Sequence, residues 1–512
     1  MKDSNLDNML GNIAQSSTIV LLALVLSKVF SYSYRIIIAR YFGANIYGVL
    51  SLALVVIGFF VAFFTLGFPD GVTRFVALYR GKKEDKKIKS LLDFSSKILL
   101  IISIIASLIC FFLSDFIAIN IFHNPSISHF LKSLSIVIPF WIFAAFFLSI
   151  IRAYEKIGVY SIIENIIQNA GKVFFLILFI LFGLRENAIL FSFFAGIFLM
   201  FLSSYLYFKI KIAPRLNGTN QKLKKTDSSA FLSYSLPLMF LGVISTFLFW
   251  IDSFTIGFFK STLEVGYYNA VVPIAILLSL TPQIFLRLTF PLITKEYSQK
   301  KLSHIKEVSK QISKWIFIIN LPVFILMFLF PGAIINILFG EEYLIAITAL
   351  RFLLVGSLFS SIAIISNNLL SMIGKSKLIL IDIILSSILN LILNIWLVPK
   401  ETIFMLDNAS GINGAALATM LSIIFFNLLF MIQAGHYVKI IPLRRKMLNI
   451  LLISLIPLFF ILFIRKFIYI TTILLILLTC SFFLIYLLLI FVFNALDKND
   501  IALLKKLKNK IL

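Results

Sequence analysis

Apolar runs of about 20 residues recur along the chain, with short polar segments between them. A run of that length crosses the hydrocarbon core of a bilayer as one helix. The pattern predicts fourteen such helices. The first six run approximately 14–38, 46–68, 94–118, 130–151, 158–182 and 187–208, and the next six 231–257, 266–291, 314–339, 344–372, 378–398 and 412–435. The last two run 447–464 and 469–494. The first run lacks a small-residue cleavage site and leads straight into a second, so it reads as a retained helix. Two polar interruptions stand out by length and charge: RGKKEDKKIK (80–89) and KIKIAPRLNGTNQKLKKTDSS (209–229). The second holds Pro214 and Gly218 and reads as a linker. The expected division is an N-terminal six-helix bundle (1–208), a basic cytoplasmic linker (209–230), a C-terminal six-helix bundle (231–435), and an extra helix pair with a basic tail (436–512).

The two sets of six helices echo each other. ANIYGVLSLA (44–53) stands between helices 1 and 2, and LEVGYYNAVV (263–272) between helices 7 and 8. Arg74 precedes FVALYRGKKEDKK at the end of helix 2, and Arg287 precedes LTFPLITKEYSQKK at the end of helix 8. Helix 5 carries Glu164 and then Lys172; helix 11 carries Asp382 and then Asn390. Six is an even number, so both halves keep one orientation, related by an axis along the membrane normal. Two such bundles facing a cleft predict a transporter that rocks between two openings.

Composition agrees: 61% of the 512 residues are hydrophobic and 13% charged, which no soluble domain matches. The formal net charge of +24 raises nucleic acid as a partner, but the positions of the charges exclude it. Of the 46 Lys and Arg, 33 fall in the termini and in the loops on one side of the predicted membrane, against 6 on the other. That asymmetry places both termini in the cytoplasm of a cell-membrane protein. Cys110 and Cys480 lie in apolar runs as small buried residues. His123, His129, His304 and His436 are scattered, so no metal site is expected, and no cofactor. Asn408-Ala-Ser410 has the form of a glycosylation sequon.

Lys28 and Arg35 stand two helical turns apart on one face of helix 1, with Ser31 and Tyr32 between them. A cation at the centre of a membrane helix costs roughly 2.5–3.5 kcal/mol on insertion scales, and therefore faces a bundle interior or a watery cavity. For Arg35 a second reading is open, in which it reaches the nearer interface together with Arg40.

Several stretches give the chain a family likeness: RIIIARYFGANIYGVLSLA (35–53), LGFPDGVTRFVALYRGKKED (66–85) and YSLPLMFLGVISTFLFWIDSFTIGFFKSTLEVGYYNA (234–270). PLITKEYSQ (291–299), LFGEEY (338–343), the turn 374–377, ILNLILNIWLVP (388–399) and GINGAALATMLS (411–422) add to them. In these the chain resembles the polysaccharide and lipid-linked oligosaccharide flippases of the multidrug/oligosaccharidyl-lipid/polysaccharide superfamily. The resemblance implies an all-α polytopic membrane fold of about fourteen helices. It implies two pseudo-symmetric bundles of the multidrug-extruder kind, and a cationic central cavity that carries a glycan on an isoprenoid phosphate or pyrophosphate.

The candidate cavity cations are then Lys28, Arg35, Arg74, Lys172, Arg287 and Arg351. Arg74, Arg287 and Arg351 stand near helix ends, where anchoring at the interface is the competing role. Ser161, Glu164 or Asn165, Gln168 and Lys172 form a polar stripe on helix 5, as cavity wall or as packing between helices. Glu164, Asp252 and Asp382 are candidates for ion pairing or for a coupling ion. The expected partners are a lipid-linked glycan, membrane lipids and other glycan-assembly proteins, with the chain a monomer. A drug or metabolite antiporter of the same superfamily is the first rival; export of organic cations favours carboxylates, and this chain's intramembrane charge is mainly basic. A glycan-assembly enzyme is the second rival. The longest outer loop, Pro399–Gly411, has no His and only Glu401 and Asp407 as acids, so no enzymatic chemistry is expected.

Overall fold

The computed structural model describes residues 2–216, 225–299, 301–403, 406–409, 411–467 and 472–493. Helices dominate it, and the protein is an all-α polytopic membrane protein. Among the described residues eleven helices are long and apolar enough to cross a bilayer, or twelve when one pair bent by 46° is taken as a single span. The count of fourteen is thus approximate. One apolar stretch, Leu22–Gly81, is far longer than a single crossing. Phe112, Leu181 and Ile432 stand exposed on the outside, as suits side chains that meet lipid rather than water.

Contacts divide the chain into two units, Met1–Ala270 with Ser410–Ile412, and Val271–Ala409 with Asn413–Leu512. The first holds α1 (Lys2–Phe64), α2 (Phe68–Gly81), α3 (Asp85–Phe116), α4 (Ser126–Ser135) and α5 (Val137–Ala153). It also holds α6 (Ile157–Ser161), α7 (Gln168–Leu181), α8 (Asn187–Tyr207), α9 (Lys225–Phe259) and the head of α10 (Thr262–Ile276). The polar turn expected after helix 1 is a kink in α1 at Gly43 (φ 82°, ψ 170°), a backbone state that suits glycine. A π turn at Ile162–Ile167 joins α6 to α7.

Glycines bring α9 and α10 close to α1 and α2. A Cβ on Gly67 or Gly71 would strike Ser235, and one on Gly257 would strike Leu52. A Cβ on Gly48 would run into the Thr262 carbonyl, and one on Gly266 into the Ala44 carbonyl. These approaches explain why α9 and the head of α10 group with the first unit.

The second unit adds α11 (Leu280–Ser298), α12 (Leu302–Leu329), α13 (Pro331–Leu338), α14 (Ile347–Met372), α15 (Ser376–Leu397), α16 (Ile412–Tyr437), α17 (Arg445–Phe467) and α18 (Thr472–Val492). The added pair, α17 and α18, packs on α12 through a core of Phe317, Leu321, Ile450, Ile453 and Phe482. Tyr486 seals that core by donating to the Ile318 carbonyl at 3.0 Å.

Two details depart from the sequence reading. Helix α12 begins at Leu302, a dozen residues before the apolar run, and so Lys314, counted above with the loop cations, is fully buried. Asn408 is no glycosylation acceptor in this fold. It is fully buried, its amide nitrogen donates to the carbonyls of Leu397 (2.8 Å) and Lys400 (2.6 Å), and its oxygen accepts from Gly414 N (2.6 Å). It ties down a loop whose two-residue strands, β1 (Thr402–Ile403) and β2 (Leu406–Asp407), pair antiparallel.

Candidate functional site

A cavity of about 80 Å³ opens within the first unit, partly open to its surroundings. The first arm of α1 supplies Ser31, Tyr34, Arg35 and Ile38 to its wall. Beyond the Gly43 kink the second arm returns with Tyr47, Leu50, Ser51 and Leu54. Asn169 and Lys172 enter from α7, Phe193 from α8 and Trp250 from α9.

The two cations of this wall are held differently. The Lys172 side chain is 9% exposed, with its ammonium 4.3 Å from the centre of the Phe193 ring. Its stem lies against Gly196, where a Cβ would strike it. With the Gln168 amide turned so that its oxygen faces Lys172, Nζ donates to it at 3.1 Å, and the amide nitrogen donates to the Glu164 carbonyl at 3.0 Å. An ammonium has three N–H groups, so the Gln168 bond accounts for one of them. Arg35 donates to the Tyr47 hydroxyl at 3.4 Å, and Tyr47 in turn donates to the Asn269 carbonyl at 3.1 Å. Tyr34 hydrogen-bonds Ser192 at 3.2 Å, tying α1 to α8. Among the described residues no carboxylate lines the cavity. In a partly dry site a phosphate oxygen meeting both cations forms charge-assisted bonds stronger than it has in water.

The π turn changes the polar stripe read from the sequence. It offsets Ser161 and Glu164 from the residues of α7. Within α7, Asn169 stands three residues before Lys172 and joins it in the cavity wall, while Gln168, one turn before Lys172, braces it from beside. Asn169 also donates to Ser27 Oγ at 3.0 Å, fixing α7 to α1.

The other candidates lie elsewhere. Lys28 is half-buried on α1, two turns from Arg35, and does not line this cavity. Arg74 is exposed in the middle of α2, its guanidinium 4.1 Å from the Tyr234 ring centre. Glu164 sits beside Tyr160. The Asp252 carboxylate accepts from the Tyr268 hydroxyl at 2.5 Å. In the second unit, Arg351 donates to the Phe328 carbonyl at 3.3 Å. There Asp382, 3% exposed, accepts from Gln433 at 2.9 Å, while its second oxygen has no partner among the described residues. The Arg287 side chain lies outside the described residues. Glu164 is the eighth residue of its helix, counted from Ile157, and Asp382 the seventh, counted from Ser376.

Tyr34, Tyr47, Phe193 and Trp250 were not legible as wall residues from the chain alone. Tyr47 had a signal, since it stands in the turn motif that carries the family likeness.

A family model described as polysaccharide biosynthesis protein matches residues 13–296, and the MatE model matches 237–396. The chain is 24% identical over 349 residues to a candidate O-antigen transporter of Shigella flexneri, covering 67% of this chain and 80% of that protein. It is 23% identical over 425 residues to the lipid II flippase MurJ of Bacillus subtilis, covering 76% of each. Among solved structures, lipid II flippase MurJ in an inward closed conformation superposes with a TM-score of 0.74 at 19% identity, over 93% of this chain and 98% of that one.

Proposed function

The chain belongs to the polysaccharide biosynthesis protein family, and we propose that it is a flippase, moving an oligosaccharide or polysaccharide repeat unit on an isoprenoid phosphate or pyrophosphate across the cell membrane by alternating access. The observation that carries this reading is the cavity in which Arg35 and Lys172 share one wall, with no carboxylate among the described residues that line it. Holding cations at membrane depth is costly, and an anionic head group is the ligand that offsets the cost. Relatives named as an O-antigen transporter and a lipid II flippase support the same class of cargo. The MatE match supports the antiporter reading, but a wall of two cations repels an organic cation. Lys28 then serves as a neighbouring cation on the route of the head group. Arg74 acts from the middle of α2, Arg287 and Arg351 nearer the helix ends, and Asp382 is the carboxylate best placed for a coupling ion. The two halves, 1–208 and 231–435, are read as the repeats that rock, with 209–230 as their cytoplasmic linker.

The test is reconstitution of the purified chain in vesicles containing a prenyl-diphosphate-linked sugar. Flipping is read as exposure of inner-leaflet sugar to a membrane-impermeant oxidant. Accelerated exposure is expected, with no transport of a fluorescent organic cation; the reverse pattern would overturn the assignment.

Orientation is tested separately. With both termini cytoplasmic, a cysteine at Ser228 should resist impermeant thiol reagents in intact cells and react after lysis. Rapid labelling of intact cells would reverse the topology.

A further inference from the structure

Trp250 reaches the cavity from α9, whereas the two cations come from α1 and α7. Its indole approaches Gly58, where a Cβ would stand 3.8 Å from Nε1. Trp250 is half-buried, and among the described residues its indole N–H makes no hydrogen bond and is not closed off, so it is open to an acceptor on a ligand. Neighbouring wall residues carry hydroxyls and an amide, as at Ser31, Ser51 and Asn169. A flat ring face, an unpaired N–H and a hydroxyl-bearing wall suit a pyranose. The negative face of the indole attracts the polarised C–H groups on one side of a sugar ring, and the N–H can donate to a sugar hydroxyl. Connectivity points the same way. In a glycosyl phosphate the first sugar is bonded to the phosphate itself, so a phosphate held at Arg35 and Lys172 brings that sugar to the open side of the same cavity, within reach of its wall. The isoprenoid tail needs no donor and has the bilayer as an alternative.

We propose that Trp250 is a specificity-determining residue, the platform on which the phosphate-proximal sugar of the cargo stacks. This rests on the flippase reading of the cavity and names what recognises the sugar rather than the charge.

The experiment measures binding of two probes to the purified full-length protein: undecaprenyl diphosphate, and the same lipid carrying one N-acetylglucosamine. Wild type is expected to bind the sugar-bearing lipid about tenfold more tightly. Trp250→Ala should erase that difference and leave affinity for the bare lipid unchanged, and Trp250→Phe should keep part of it. Lys172→Met should weaken both probes alike. Equal weakening of both probes by Trp250→Ala, which would mark a tail contact or a packing role, overturns the proposal. So does a wild type that shows no preference for the sugar. Failure of wild type to bind either lipid would instead remove the flippase reading of the cavity, and this inference with it.

Discussion

Replacing Lys172 with methionine is expected to slow flipping about 10- to 100-fold at normal protein abundance, the loss anticipated for one charge-assisted contact of about 1.5–3 kcal/mol. Methionine keeps an unbranched stem against Gly196 and removes the ammonium, with its bond to Gln168 and its place over the Phe193 ring, so normal abundance of the variant separates loss of the ammonium from loss of packing. Arg35→Ala should cost a similar factor, since Arg35 shares the cavity and keeps most of its N–H groups beyond the Tyr47 bond. Because both cations are assigned to one head group, the double variant should lose less than the product of the single effects. Lys172→Arg should restore activity only in part, for a planar guanidinium and a compact ammonium are not equivalent in shape or donor geometry. Lys28→Ala is expected to reduce export as well, with Lys28→Arg retaining more. Lys400, whose ammonium sits 3.8 Å from the centre of the Trp396 ring in another part of the fold, serves as the control and should change little. Full export by the Arg35→Ala, Lys172→Met variant would leave the cavity without its proposed ligand.

Crosslinking Asn45 to Thr262 through paired cysteines should arrest flipping by more than tenfold, with recovery on reduction. The reason lies in two glycines, one in each of the two proposed repeats. Gly48 meets the carbonyl of Thr262, and Gly266 meets that of Ala44. Each carbonyl stands four residues before the opposite glycine, so the two helix starts cross about a local two-fold axis. Thr262 Oγ1 donates to Asn45 Oδ1 at 2.6 Å and accepts from Asn124 at 2.9 Å, which holds the crossing closed. A transporter that opens alternately has to part such a contact on one side of its cycle. The variant is made in a chain whose Cys110 and Cys480 are replaced, so that only the new pair can join. A larger residue at Gly48 should lower the crosslinking yield, because its side chain has no room beside the Thr262 carbonyl. Undiminished flipping by fully crosslinked protein would show that these helix ends do not separate.

The membrane class, the near-count of helices and their approximate bounds were settled by the chain itself, because burial in lipid demands long apolar runs whatever the helices later pack against. The kink after helix 1 was legible for a related reason: Gly43 sits in a polar break and readily takes the backbone state found there. Sequence also singled out Arg35 and Lys172, since a cation inside an apolar run carries a cost visible without coordinates. It could not say that they share a wall and Lys28 does not. Seven-residue spacing relates neighbours on one helix, whereas the cavity is assembled from α1, α7, α8 and α9. The choice between Gln168 and Asn169 lies equally beyond pattern reading, because both stand within one turn of Lys172 on α7 and only the neighbouring helices decide which of them faces the cavity. Lys314 passed for a loop charge and Asn408 for a surface acceptor on composition alone. Tertiary packing decided both: α12 runs on past its apolar stretch, and three backbone groups close around the Asn408 amide. What the chain determined by itself is how each segment meets lipid; which polar side chains meet one another depends on contacts between helices far apart in sequence, and those only the folded protein supplies.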